Sequence, residues 1–172
     1  CAADFLQKNK APCLYRVHEP PSQDRLEKAR ATLAPFGVTL PGGDSPTPGD
    51  YAKVLESIAD RPDKAMIQTI LLRSMQQAVY SPHNVGHFGL AYDAYTHFTS
   101  PIRRYPDLLV HRAIRGILRR RKYVPKILVE PNEAEVPVQT REIICKAKPD
   151  DKKKVAHIDL WEKLGLLCSA HE

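Results

Sequence analysis

Two prolines five positions apart, Pro101 and Pro106, constrain the backbone of this 172-residue chain more than any other feature. They stand in Tyr95-Thr96-His97-Phe98-Thr99-Ser100-Pro101-Ile102-Arg103-Arg104-Tyr105-Pro106-Asp107-Leu108-Leu109-Val110-His111-Arg112. Ser100 is a favoured N-cap and Pro101 suits the first helical position, where a missing N–H removes no bond. A helix is therefore expected to start here. Pro106 cannot donate to the carbonyl four residues back, which predicts a kink between a first turn over 101–105 and a regular helix over 107–121. The amides from Thr99 to Arg104 are then expected to be unpaired. With the Thr99 and Ser100 hydroxyls beside them and Arg103 and Arg104 flanking, they would suit a phosphate or other oxyanion. A plainer arrangement fits the same residues. Arg103, Asp107 and His111 share one helical face at i, i+4 and i+8, so Arg103 and Asp107 can form an exposed ion pair worth a few tenths of a kcal/mol.

The rest of the chain reads as α+β with more helix than strand. A short strand is predicted over 13–18, then a helix over 24–35 with Leu26, Ala29 and Leu33 on one face. A Pro/Gly-rich loop over 41–49 ends at Asp50, expected to cap a helix through Ala59 with Val54, Leu55 and Ile58 buried. The longest helix is predicted from Pro62-Asp63 to Tyr80, its Ile67, Ile70, Leu71, Ser74, Met75 and Ala78 recurring at core spacing. Alternation between Val85 and Thr99 suggests a strand or hairpin. Three prolines over 123–137 favour an extended linker or hairpin, and 138–146 fits a strand or a short helix. A final helix opens at His157 and is anchored by Leu160, Trp161, Leu164 and Leu167. His83 and His87 sit beside Pro82 and Gly86, so the helical spacing of a zinc pair is not expected. His87 and His97 fit hydrogen-bonded core histidines better than site residues.

The net charge of +6 and pI of about 9.2 are unevenly distributed. One cluster runs from Arg112 and Arg115 through Arg119, Arg120, Arg121 and Lys122, and a second comprises Lys146, Lys148, Lys152, Lys153 and Lys154. Either suits RNA, although the first also complements the negative end of a helix and the second fits a mobile loop. Cys1, Cys13, Cys145 and Cys168 are far apart and include no C-x-x-C pair, so reduced thiols and a cytoplasmic setting are expected. No run of eighteen apolar residues is present, and no membrane partner is expected.

The stretch from His87-Phe88-Gly89-Leu90-Ala91 through Ser100-Pro101-Ile102-Arg103-Arg104-Tyr105-Pro106-Asp107 to His111-Arg112 resembles the signature of the RNase II / RNase R family of exoribonucleases. Leu14-Tyr15-Arg16-Val17-His18-Glu19-Pro20-Pro21 and Trp161-Glu162-Lys163-Leu164-Gly165 extend the resemblance over nearly the whole chain. Arg104-Tyr105-Pro106 and Cys168-Ser169-Ala170-His171-Glu172 are closer to the bacterial RNase R branch than to RNase II. The resemblance implies that residues 1–172 are the C-terminal portion of a larger ribonuclease catalytic domain, cut through structure at both ends. It also implies processive 3′→5′ hydrolysis of single-stranded RNA to nucleoside 5′-monophosphates. Mg²⁺ would be the cofactor, held by aspartates upstream of this chain, with no metal ligand within it. The expected partners are RNA, not DNA, and flanking cold-shock and S1-type domains of the same polypeptide.

Carried onto this sequence, the first arginine of the Ser-Pro-Ile-Arg motif is Arg103, the residue the resemblance places at the scissile phosphate. Thr99, Ser100, Arg104 and Tyr95 are expected to bind RNA or phosphate, and Asp107 to orient Arg103. The chain alone is expected to be inactive. Two other classes fit the residues: a non-catalytic RNA-binding fragment, and a helical interaction domain whose charges are solvated surface.

Overall fold

The computed structural model describes residues 2–128, 130–132, 134–146 and 157–171. Lys148 and Lys152, Lys153 and Lys154 of the second basic cluster, together with Cys1 and Glu172, lie outside them. The elements run α1 (Ala2–Lys8), β1 (Tyr15–Val17), α2 (Gln23–Leu33), α3 (Pro48–Ser57), α4 (Lys64–Ser74), β2 (Val79–Ser81), α5 (Tyr105–Leu118), α6 (Val138–Lys146) and α7 (Ile158–Ala170). The chain is helix-rich with a small antiparallel sheet, the α+β class expected from the sequence. It divides into two compact units: 1–17, 78–87 and 93–172 form one, and 18–77 with 88–92 form the other.

The second unit is built from α2, α3 and α4 around Leu26, Leu33, Tyr51, Val54, Ile58, Ile67 and Leu71. In α2, Leu26, Ala29 and Leu33 are buried as their spacing predicts, and the helix is stopped by a 3-10 turn and left-handed Gly37. Asp50 is not the N-cap of α3. Thr47 takes that position, its hydroxyl accepting from the Asp50 amide at 3.3 Å while Asp50 Oδ2 accepts from the Thr47 amide at 2.9 Å. The result is a reciprocal capping box with Pro48 at the first helical position. Val54 and Ile58 are buried as expected, whereas Leu55 faces outward and Tyr51 takes an inward position beside them. The buried Tyr51 hydroxyl meets Ser74 Oγ at 2.9 Å, at the last residue of α4. This helix stops six residues short of the predicted Tyr80, because Met75 turns to extended backbone and Val79–Ser81 becomes a strand.

In the first unit β1 pairs antiparallel with β2, Arg16 lying opposite Tyr80. Leu6, Val17, Val79 and Val110 pack on one cluster, and Leu14, Leu109, Trp161 and Leu164 on another. Cys13, Cys145 and Cys168 are not joined in disulfides. The segment 138–146 is helical, resolving the choice its sequence left open. The hairpin expected between Val85 and Thr99 does not form. Instead a 3-10 turn spans Phe88–Leu90, and Tyr95 turns its carbonyl to the Arg16 amide of β1 at 2.9 Å. Among the described residues no helix is long and apolar enough to cross a membrane.

Candidate active-site corner

The turn and helix carrying the predicted site residues lie wholly in the first unit. The Ser100 carbonyl accepts from both the Arg103 amide at 3.3 Å and the Arg104 amide at 3.0 Å, closing one tight turn over 100–104. Arg104 is then extended, with φ −122° and ψ 117°, and serves as the N-cap of α5. Pro106 sits in the first turn of that helix, where an absent N–H costs nothing. The predicted kink within one helix is therefore a complete break: a separate turn, one extended residue and a new helix. That helix ends at Leu118, three residues before the expected Arg121.

The break changes which arginine Asp107 serves. Arg103 lies outside α5, so the i, i+4 geometry expected between Arg103 and Asp107 does not exist. Asp107 is fully buried, and its Oδ1 accepts from Arg104 Nη2 at 2.9 Å and from the Ser100 amide at 2.8 Å. Its second oxygen and Arg104 Nε are buried without a hydrogen-bond partner among the described residues. Asp107 thus orients Arg104 and the corner itself, correcting the expectation that it orients Arg103.

The same bonds correct the expected row of unpaired amides. Those of Ser100, Arg103 and Arg104 are occupied, and the anion at the helix start is the protein's own carboxylate. Three amides of that row are thus closed to a phosphate, which leaves side chains as the principal donors at this corner. Arg103 is exposed, and its guanidinium forms no hydrogen bond or ion pair with the described residues. The Thr99 and Ser100 hydroxyls are likewise unengaged among the described residues, Thr99 being exposed and Ser100 half-buried. Ile102, at the tip of the turn, is completely exposed.

Behind the corner, aromatic contacts fix the approach segment. Buried Thr96 donates to the Leu14 carbonyl at 2.7 Å. Tyr95 stands edge-on between His87 and His97, with ring centroids at 5.3 and 5.7 Å. His97 Nδ1 meets the buried Tyr80 hydroxyl at 2.7 Å, and the Arg16 guanidinium lies over the Tyr80 ring at 4.7 Å. His97 thereby braces the approach segment between Tyr80 and Tyr95. Phe98 stacks flat on His111 at 4.2 Å, while His111 Nε2 donates to the Phe98 carbonyl at 2.8 Å. His111 thereby ties α5 to the residue before Thr99, a role its sequence position did not announce. His83 pairs with Glu162 at 2.7 Å. At the start of α5, burial and the neighbouring Tyr123 raise the Tyr105 phenol above its ordinary value, favouring its neutral form. The described residues gather no group of three His, Cys, Asp or Glu able to hold a metal ion. Asp107 Oδ1 is already committed. These residues therefore do not fit a metal centre.

A family model described as the RNB domain matches residues 1–120. Ribonuclease R of Escherichia coli K12 is 59% identical over 117 residues, covering 68% of this chain and 14% of that protein. Ribonuclease R of Aquifex aeolicus is 48% identical over 108 residues, covering 63% of this chain and 15% of that protein. The chain spans about a seventh of the length of these curated relatives. Among solved structures, Mycoplasma genitalium RNase R in complex with ribose-methylated single-stranded RNA matches with a TM-score of 0.65 and 26% identity. That alignment covers 99% of this chain and 24% of the other. Yeast Ssd1, described as a pseudonuclease, matches with a TM-score of 0.62 and 26% identity over 73% of this chain and 16% of its own.

Proposed function

The chain belongs to the RNB-domain family, and on that premise we propose that it forms the arginine-bearing wall of a ribonuclease active site. The whole protein would degrade single-stranded RNA from the 3′ end to nucleoside 5′-monophosphates. One observation carries this reading: of two adjacent arginines, Arg104 is locked to buried Asp107 while Arg103 is held exposed and without a partner among the described residues. An unpaired guanidinium on a braced turn can meet a phosphate without first breaking an internal ion pair. There it would stabilise charge growing on the non-bridging phosphate oxygens. Thr99 and Ser100 supply hydroxyls to the same phosphate or its sugar, and Tyr95 shapes the wall behind them. Arg104 acts through Asp107 and the turn, not by gripping the reacting phosphate.

Mg²⁺ is the cofactor this reading expects for the whole protein, from ligands outside this chain. Cold-shock and S1-type domains would hold the RNA, and the whole protein would work in the cytoplasm. The test is a chimaera of Escherichia coli Ribonuclease R carrying this chain in place of its own segment. Degradation of end-labelled single-stranded RNA that is lost with Arg103→Ala supports the assignment; unchanged degradation removes Arg103 from the mechanism. The match to a pseudonuclease favours one second reading, RNA binding without cleavage. A chimaera that binds but never cuts, even with Arg103 intact, would establish it.

A further inference from the structure

We propose that a cavity at the C-terminal end of α5 is a second binding site, for a nucleotide unit consisting of a flat base and its phosphate. The inference rests on the reading that the chain handles RNA, but the site is separate from the Arg103 corner. The fourteen residues of α5, rising 1.5 Å each, place its two ends about 20 Å apart.

The cavity encloses about 330 Å³, within the range of small-molecule sites. Ala113, Ile117 and Val124 give it an apolar wall beside the Tyr123 ring. Tyr123 is fixed by its contact with buried Trp161, ring centroids 6.4 Å apart. Lys10, Arg121 and Lys122 also line the cavity, and no carboxylate does so among the described residues. None of these three cations has an ion-pair partner among the described residues. The end of α5 carries about half a negative charge, so three full positive charges outweigh it and leave the site attractive to an anion. Inorganic phosphate would use only the cations. A nucleotide would also cover the apolar wall and lie against the tyrosine.

The backbone is shaped to make this space. Gly116 lets the chain fold back on the helix, its carbonyl accepting from the Arg121 amide at 2.9 Å. A Cβ at position 116 would meet the Arg121 carbonyl oxygen at 2.9 Å and Tyr123 Cβ at 3.2 Å. The turn runs through Arg120 at φ 53°, and Lys10 in the facing segment has φ 50°. Left-handed backbone is unfavourable for residues bearing a side chain, so surrounding structure holds both walls in place.

The phosphate-bearing base has two sources, a free mononucleotide or a residue of an RNA strand. Adenosine 5′-monophosphate, inorganic phosphate and a fluorescent five-nucleotide oligoadenylate would be titrated into the chain, with Trp161 emission reporting that the unit is folded. Adenosine monophosphate binding at least tenfold tighter than phosphate, and weakened at least tenfold by Lys10→Glu with Arg121→Glu, assigns a free nucleotide. Oligoadenylate alone weakened by the same pair assigns an RNA strand. Gly116→Ala and Val124→Trp, which displace or fill the cavity without touching a charge, should reproduce the loss. Either ligand must bind Arg103→Ala as well at the cavity, so failure of the catalytic assignment leaves this result standing. The proposal is overturned if the folded cavity variants bind both ligands like wild type, or if adenosine monophosphate binds no tighter than phosphate and the oligonucleotide ignores the cavity.

Discussion

Removing the Asp107 carboxylate should destabilise the first unit by about 3 kcal/mol. The carboxylate is fully buried and holds two donors through one oxygen, the Ser100 amide at 2.8 Å and Arg104 Nη2 at 2.9 Å. Breaking a buried ion pair costs roughly 3–5 kcal/mol, because the remaining charge is left uncompensated. Two features place this case at the lower end. The Arg104 side chain keeps a quarter of its exposure, so water recovers part of the loss. The pair is also bridged once and not twice, Asp107 Oδ2 and Arg104 Nε having no partner among the described residues. Asp107→Asn keeps an acceptor but loses the charge and should cost about 1–2 kcal/mol, clearly less than the full effect. In a double-mutant cycle with Arg104→Ala, the coupling should be about 1.5–3 kcal/mol. Trp161, the single tryptophan, is fully buried in the first unit, so its emission during urea unfolding reads this unit directly. A loss below 0.5 kcal/mol on Asp107→Ala, or an Asn variant as unstable as Ala, would refute the clamp.

Two further outcomes follow from local chemistry. The Thr47 amide, followed by the Thr47 hydroxyl, holds the Asp50 carboxyl below its ordinary value, so the ionised form is favoured in the folded state. Its stabilisation of α3 is therefore fully present above the unfolded pKa near 3.9 and lost as pH falls through the lower folded value. An NMR titration should place Asp50 below 3.8; a midpoint at or above that would contradict the capping box. Burial pushes the Cys13 thiol up to about 12, whereas Cys145 is exposed. Iodoacetamide at pH 8, read by peptide mass spectrometry, should label Cys145 in the native chain and Cys13 only after denaturation. Equal rates would mean the cluster around Cys13 opens freely.

Elements fixed by local periodicity were legible in the sequence, and those fixed by distant pairing were not. Leu26, Ala29 and Leu33 mark a buried helical stripe, and Trp161 and Leu164 do the same for α7. Val79–Ser81 reads as a continuation of α4 because its apolar spacing still suits a helix. Its partner, Tyr15–Val17, lies more than sixty residues away, so nothing local declares the strand. At the corner, Pro101 and Pro106 announced a disturbed helix start, but Arg104's extended backbone decided the ion pairing. Once Arg103 lies outside α5, spacing along a helical face no longer relates it to Asp107. Of the amides expected to await a phosphate, that of Ser100 is filled by a carboxylate seven residues on and those of Arg103 and Arg104 by the Ser100 carbonyl, folding contacts that composition alone does not distinguish from a binding site. The cavity beyond Gly116 rests on a chain reversal at Arg120, and the sequence there shows only a run of cations.

Arg103 in the Escherichia coli chimaera tests the central claim most directly, with single-turnover cleavage and RNA binding measured on the same protein. The account predicts that Arg103→Ala slows cleavage by roughly 10²–10³-fold, about 2.7–4 kcal/mol of transition-state stabilisation, while affinity falls less than tenfold. Cleavage at the parent rate, or a loss confined to binding, would contradict it.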